Sequence, residues 1–546
     1  TIKYTKEQLN KFDKDLLIEL FLGMQGQMEE LSRQTQALND RMQLMMEQMV
    51  LFQKNRFGRS SEKMADSEQI RFMEVDGTIV FFNEAEAVCD LDAPETDDLE
   101  LKAPKKKKQP GKKAADIAGL TVKRIDHYLK EEELTAEFGE NGWKQLPDAI
   151  SRCYQFIPAS VVIEEHHIGV YSSKLDEHMI KAPHPRNLLH GSLVSPSLAA
   201  AVINGKYVNA VPLYRLEKEF ERYGLAITRQ NMANWMIRLG EEYLGTMYDY
   251  LHKLLYDYHV IQADETPVLV NKDGRPAGSQ SYMWVYRSGF MYRDRQIILY
   301  EYQKTRNASH PREFLRDYTG ICVTDGYQVY HTLEKERENL KIAGCWVHCR
   351  RRFNDALEVI PKAHRKESIL HLIMKQIQAI YREEGKLSDF STEDRLMQRQ
   401  LVVKPLVDAF FAYLKQNEPK IPKNGKIREA FTYALNQESY LKVFLEDGDV
   451  PIDNNASERA IRGFCIGKKN WEMIDTVNGA NSSAIIYGIA ETAKANNLKP
   501  FNYFEYLLAE IPKHVDDKNT DFLAELLPWS DMLPENIRKP QKASGK

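Results

Sequence analysis

At 546 residues the chain is several times a typical domain, so two to four domains are expected. Apolar residues at 43% and charged residues at 28% exclude a wholly disordered, collagenous or membrane-embedded chain, and a net charge of −4 leaves any nucleic-acid role to local basic patches. Six scattered cysteines make no disulfide framework, and neither a basic-then-apolar leader nor an eighteen-residue apolar run is found, so a cytoplasmic protein is expected.

Residues 1–53 carry an apolar stripe, Leu17, Phe21, Met24, Met28, Leu31, Leu38, Met42, Met45, Met49 and Phe52, broken only at Thr35. A period of 3.5 keeps such a stripe on one side of a supercoiled helix, which predicts a coiled coil and a homo-oligomer. Residues 54–115 open on the basic run Lys54 to Lys63, pass through an acidic block and end in a lysine-rich one, the composition of a charged linker. Short β-like runs at Tyr154–Ile157 and Val161–Ile163 predict a small domain over 116–190.

Over 191–250 the pattern turns helical. Pro212 opens Leu213–Tyr223, Gly224 stops it, and Thr228 is a good N-cap for Arg229–Leu239. Helix, glycine turn and helix make a helix-turn-helix, with Arg229, Gln230 and Asn231 at the end that meets base edges, or else two packed helices with no DNA role.

From 251 to 350 strands are expected at His259–Ala263, Met283–Tyr286 and Ile297–Tyr302, then a helix at Pro311–Tyr318, a strand at Ile321–Thr324, a helix at Tyr327–Glu336 and a strand at Ile342–Val347. That is the order of a ribonuclease-H-like α/β core, in which the first and fourth strands are neighbours and would bring Asp264 and Asp325 together at their carboxyl ends. Paired carboxylates repel, and a hard divalent ion between them removes that cost. The third carboxylate is expected from Glu458, on a helix that Asp453 or Asn454 would cap within 446–500, with Arg462 four residues on and on the same face. Glu265 is expected on the opposite side of its strand from Asp264, and Glu491 on a helix surface or helix-helix contact. Residues 351–445, helical by pattern, read as a helical insertion, and 501–546 as a C-terminal tail. The fold class is thus multidomain α+β.

Cys345 and His348 have the look of a zinc half-site, but no second ligand pair is nearby in the chain, so zinc is not expected. The segment reads instead as a strand entering a helix whose His348, Arg350, Arg351 and Arg352 face DNA phosphates, or as a solvated basic helix start. Lys468, Lys469 and Trp471 add charge and a stacking plane near Glu458, although a Trp is more often core.

These motifs together, Arg56-Phe57-Gly58-Arg59-Ser60-Ser61-Glu62-Lys63, Lys206-Tyr207, Pro212-Leu213-Tyr214-Arg215, Ala263-Asp264-Glu265-Thr266, Thr324-Asp325-Gly326-Tyr327, Cys345-Trp346-Val347-His348, Asp453-Asn454-Asn455, Glu458-Arg459-Ala460-Ile461-Arg462, Gly467-Lys468-Lys469-Asn470-Trp471 and Glu491-Thr492-Ala493-Lys494-Ala495-Asn496, resemble the DDE transposases of bacterial insertion sequences, specifically the insertion-sequence-66 family. The resemblance implies a catalytic triad of Asp264, Asp325 and Glu458 binding two Mg²⁺, with Mn²⁺ as substitute. It implies DNA contacts from the basic positions above, Arg459 and Arg462 included. It also implies cleavage at the element's terminal inverted repeats, joining of the 3′-hydroxyl to target DNA, and accessory proteins of the same element. A nuclease of the same fold that does not join strands, and an inactive DNA-binding protein, are the alternatives. The family usually carries a zinc domain with paired cysteines after the coiled coil. Residues 116–185 hold only Cys153, which predicts a degenerate ribbon without metal. Lys468 stands where the family commonly has Arg, which weakens a bidentate phosphate contact.

Overall fold

The computed structural model describes residues 186–540 apart from 277, 290 and 518, together with 72–75, 78–81 and parts of 130–183. The expected coiled coil lies outside the described residues. Within the span read as linker, β1 (Phe72–Val75) and β2 (Thr78–Phe81) form an antiparallel hairpin, a correction there to the linker reading. In the next segment β3 (Val170–Ser172) pairs antiparallel with β4 (Met179–Lys181). Val161–Ile163, expected as a strand, is exposed and belongs to no strand among the described residues.

The helical region runs α1 (Pro196–Ile203), α2 (Leu213–Arg222), α3 (Arg229–Leu239) and α4 (Gly245–Leu255). Between α2 and α3, Gly224 sits at φ +83°, where a side chain is strained, and Thr228 Oγ1 accepts the Asn231 N–H at 3.2 Å. A five-residue π turn at Gly240–Leu244 joins α3 to α4, where Gly240 lets the helix lie against Ser482.

The central sheet has five strands in the order β7-β6-β5-β8-β9, with β10 added to the far end of β5. Its members are β5 (Val260–Lys272), β6 (Gln280–Ser288), β7 (Ile298–Gln303), β8 (Gly320–Thr324) and β9 (Leu340–Gly344), with β10 at Ile474–Thr476. The first three are antiparallel, β8 runs parallel to β5 and β9 parallel to β8, so the first and fourth strands are neighbours as the chain order predicts. Two strands differ from expectation. β5 runs on to Lys272 because β6 and β10 pair with its second half, which puts Asp264 in mid-strand and not at its end. The fifth strand stops at Gly344, and Trp346 already opens a helix, its indole N–H held by the Leu441 carbonyl at 2.8 Å.

Both faces of the sheet are covered, which is why its strands read as apolar runs. Side-chain alternation divides them: on β8, Cys322 enters one core while Ile321 and Val323 enter the other. The first core takes α5 (Ser309–Phe314), α6 (Gln328–Glu336), α13 (Asn455–Trp471), α14 (Val477–Ala495) and α15 (Pro500–Glu510), and includes Phe314 stacked on Tyr286 at 3.7 Å. The second gathers α7 (Trp346–Val359), α8 (Ile369–Gly385), α9 (Thr392–Gln398), α10 (Lys404–Asn417), α11 (Lys426–Asn436) and α12 (Glu438–Lys442) around Trp346, Phe353, Phe410 and Phe411. Residues 501–540 are not a tail: Tyr503, Phe504, Leu507, Leu526 and Ile537 are buried in the first core. Among the described residues no helix is long and apolar enough to cross a membrane.

Candidate active site

Three elements deliver the three acids. Asp264 comes from β5, Asp325 follows β8 directly, and Glu458 projects from the first turn of α13. Gly326 makes the turn after Asp325: its φ is +84°, and an added Cβ would stand 3.0 Å from the Tyr433 hydroxyl and 3.1 Å from Gln437 Oε1. The turn lets Asp325 Oδ1 accept the Tyr327 N–H at 2.9 Å, while Tyr433 donates to the Asp325 carbonyl at 3.0 Å.

The acid helix is tied to the sheet by buried polar groups. Of the two capping candidates, Asn454 holds the N-cap position but its side chain makes no cap bond. Its Nδ2 donates to the carbonyl of Ala263, the residue before Asp264, at 2.7 Å, and its Oδ1 accepts from Gln262 Nε2 at 3.1 Å. Asp453 takes the cap role, with Oδ1 accepting the Asn455 N–H at 3.1 Å. Arg287 donates to the Ala456 carbonyl at 3.1 Å and Tyr300 to that of Ala460 at 2.6 Å. The Asn454, Arg287 and Tyr300 bonds satisfy groups shut away from water, so the helix is seated on β5, β6 and β7.

The acids in this centre repel one another. Burial pushes Asp264 up to about 8, and the negative charges of Glu265, Asp325 and Glu458 act in the same direction. Glu265 is also pushed up, to about 7, by burial and by Asp325, with Arg306 pulling the other way. Glu458 Oε1 is buried without a hydrogen-bond partner. A set of oxygen donors that repel one another, one of them unpartnered, fits a hard divalent cation.

Positive groups ring the acids. Arg306 binds Glu265 through Nε at 2.6 Å, lies 3.9 Å from Asp325 and stacks 3.7 Å over the Tyr327 ring. Glu265, read from sequence as lying on the opposite side of its strand from Asp264, pairs with Arg306 and stays electrostatically coupled to Asp264 and Asp325. His348 Nε2 is 3.8 Å from Glu458 Oε1 and Arg351 Nη2 is 3.6 Å from Oε2. Burial lowers the His348 pKa, which favours the neutral ring.

The other sequence-derived candidates are spread more widely. Arg350 and Arg352 are exposed on α7 but lean over Tyr381 and Tyr433, at 5.9 and 5.3 Å. Arg459, Arg462 and Lys469 are exposed on α13, whereas Lys468 donates to the Pro267 carbonyl at 2.6 Å. Trp471 packs its ring against Phe464 at 5.5 Å with its indole N–H buried, a core placement and not a free stacking plane. Arg229, Gln230 and Asn231 are exposed at the start of α3, away from the acids in the chain and on a separate element. Glu491 binds Lys494 at 2.7 Å and lies over Gly463 of α13, a helix-helix contact as read from sequence. Arg306 and Gln262 escaped the sequence reading. Arg306 stands in a polar loop after β7 with nothing local to mark it, and Gln262 looks like any polar interruption of a strand.

Comparison with known proteins gives these features a setting. The uncharacterized protein y4qI of Sinorhizobium fredii (strain NBRC 101917 / NGR234) is 28% identical over 369 residues, 66% of this chain and 67% of that one. From the same organism, y4jD is 24% identical over 435 residues, 76% of this chain and 82% of that one. A solved structure, the Mos1 transposase paired-end complex with left transposon end, aligns at 14% identity over 49% of this chain and 81% of its own, with a TM-score of 0.13, so the fold rests on the strand pairing itself. Family models match over 44–125 (transposase C of IS166 homeodomain) and 489–529 (IS66 C-terminal element). A third, the transposase IS66 family, matches residues 191–482, more than half the chain and all three acids, and this chain belongs to that family.

Proposed function

We propose that the chain is a DNA transposase that cleaves at insertion-sequence ends and transfers the freed 3′-hydroxyl into target DNA, using Asp264, Asp325 and Glu458 to hold Mg²⁺, or Mn²⁺ in its place. The observation that carries this reading is the approach of three carboxylates from β5, the β8 turn and α13, with Asp264 raised chiefly by burial and further by Glu265, Asp325 and Glu458. When bound, the metal ions supply stabilisation of the attacking and leaving oxygens of phosphoryl transfer. The chain's own contribution is placement. Asn454 and Gln262 hold Asp264 and the acid helix in register, and Arg306 neutralises Glu265 so that it does not compete for cations.

Arg351 beside Glu458, with Arg350, Arg352, Arg459, Arg462 and Lys469 exposed around it, supplies positive charge for the DNA backbone. The exposed start of α3 supplies the side chains for reading element ends, since a recognition helix meets bases with its first residues.

The test is a reaction of purified protein with labelled element-end DNA and a plasmid target, in Mg²⁺ or Mn²⁺, with Glu458→Gln as control. Joined products that vanish in the variant, by roughly two orders of magnitude or more, are expected, since the electrostatic partner of the developing charge is lost. Full cleavage by Glu458→Gln would overturn the triad, and cleavage without joining would reduce the protein to a nuclease. Because accessory proteins of the element are expected partners, the neighbouring gene products are added before binding without chemistry is scored against the reading.

A further inference from the structure

Beside the acids lies a second group of donors of different chemistry. Sγ of Cys345, a ring nitrogen of His348 and a carboxylate oxygen of Glu458 all stand within 4.8 Å of one another. Cys345 is the N-cap of α7 and His348 follows three residues later, so one helical turn presents both towards α13, from which Glu458 reaches back. The gap of 3.8 Å between His348 Nε2 and Glu458 Oε1 is too long for a hydrogen bond. It is close to the ~3.3 Å that separates two ligands on a tetrahedral ion with bonds of about 2.0 Å. Both Glu458 Oε1 and His348 Nδ1 are buried without partners.

The thiol's setting suits a metal thiolate. Cys345 is fully buried, and its Sγ receives the backbone N–H of Asn454 at 3.2 Å and that of His348. Burial pushes the free thiol up to about 12 and the two backbone donors pull the other way, so a bound cation would supply the charge that stabilises the thiolate. His348 and Glu458, each about one-fifth exposed, leave a way in from solvent. A sulfur, nitrogen and oxygen set is wrong for Mg²⁺, which takes oxygen, and right for Zn²⁺ with a water or substrate oxygen in the fourth place.

We propose that Cys345, His348 and Glu458 form a Zn²⁺ site that takes Glu458 from the catalytic acids, so that zinc binding inhibits the enzyme. The inhibitory part rests on the reading of Glu458 as the third catalytic acid; the metal site itself does not. Zinc is here a regulator competing for one shared carboxylate, not a resident structural ion.

The experiment loads the full-length chain, stripped with chelator, with one equivalent of Co²⁺ as an optical probe for zinc. A cobalt–thiolate charge-transfer band and intense visible bands of four-coordinate cobalt are expected in the wild type. Both are expected to fall at least fivefold in Cys345→Ser, whose hydroxyl still accepts the Asn454 N–H, and to persist in Cys465→Ser. Equal bands in Cys345→Ser and wild type, or none in wild type, would overturn the site. X-ray absorption at the zinc edge of the wild type checks it without any substitution: one sulfur with nitrogen and oxygen neighbours supports it, and no sulfur overturns it. In the cleavage assay, equimolar Zn²⁺ over protein should depress the Mg²⁺-supported rate at least tenfold, and Cys345→Ser should need at least tenfold more zinc for the same fractional loss of its own rate. Equal zinc sensitivity in the two proteins overturns the inhibition. Full Mg²⁺ activity in Glu458→Gln sinks the catalytic reading while leaving the optical result standing, so the two failures are distinguishable.

Discussion

Asp264 is where fold stability and chemistry oppose each other. Its folded-state pKa of about 8 lies far above the ordinary value of about 3.8, so the folded protein holds this proton more tightly than the unfolded chain. The stability linked to that proton is complete at low pH and is lost as pH rises from about 4 to about 8. Glu265 and Glu301, both raised to about 7 chiefly by burial, add the same sign over a narrower window. Urea midpoints measured in chelator are therefore expected to fall across that range, and Asp264→Asn should flatten the fall while abolishing metal-dependent cleavage. Adding Mg²⁺ at pH 8 should raise the wild-type midpoint and leave that of Asp264→Asn nearly unmoved, because a ligand that binds only the folded form stabilises it. An unchanged pH profile in Asp264→Asn would show that this carboxyl is not the source.

At the scale of elements, the acid centre depends on how α13 is seated on β5, and Asn454 is the buried joint between them. Asn454→Ala removes the hydrogen bond to the Ala263 carbonyl and the one from Gln262 Nε2, which keeps the Asp453 carbonyl at 3.3 Å, a cost of about 1–3 kcal/mol for a buried group left short of its partner. A loosened joint should cost more in rate than in stability, about a hundredfold in cleavage, because small misplacements of reacting groups are expensive. The split is read by comparing cleavage rate and apparent Mg²⁺ affinity with the unfolding midpoint; equal loss in an Asn454→Ala protein and in a stability-matched core variant would assign Asn454 a structural role alone. For α2 and α3, replacing exposed Arg229 and Gln230 by alanine should lower discrimination between element ends and random DNA tenfold or more, with non-specific binding almost intact. Competition binding at fixed salt measures it, and unchanged discrimination would return the pair to two packed helices.

Across the whole molecule, residues 501–540 complete the core that the sheet and α14 begin. Burial of side chains such as Tyr503, Phe504, Leu507, Leu526 and Ile537 contributes about 1.5–3 kcal/mol each, a sum comparable to the 5–15 kcal/mol by which whole domains are stable. A chain ending at residue 500 is expected to aggregate or melt without cooperativity, and a sharp transition near that of the full chain in calorimetry would show the segment to be dispensable. The family match over 489–529 takes in α15 and the turns after it.

The local signals in this chain were enough to determine its elements and much of their order. Thr228 and Gly224 mark the ends of α2 and α3, and apolar runs ending in Asp264 and Asp325 mark two neighbouring strands, because caps, turns and side-chain periodicity act over a few residues. Strand order and a helix start picked Asp264, Asp325 and Glu458 out of 79 acids, and the resemblance to a known family pointed to the same three. Only the tertiary structure decided what depends on residues far apart in sequence. It ran β5 past Asp264, because partners on both sides supply its hydrogen bonds. It gave the capping bond to Asp453, made Asn454 a joint, and drew Arg306 across to Glu265. It brought Glu458 to Cys345 and His348, more than a hundred residues earlier in the chain, since coordination, ion pairing and desolvation are set by distance in space.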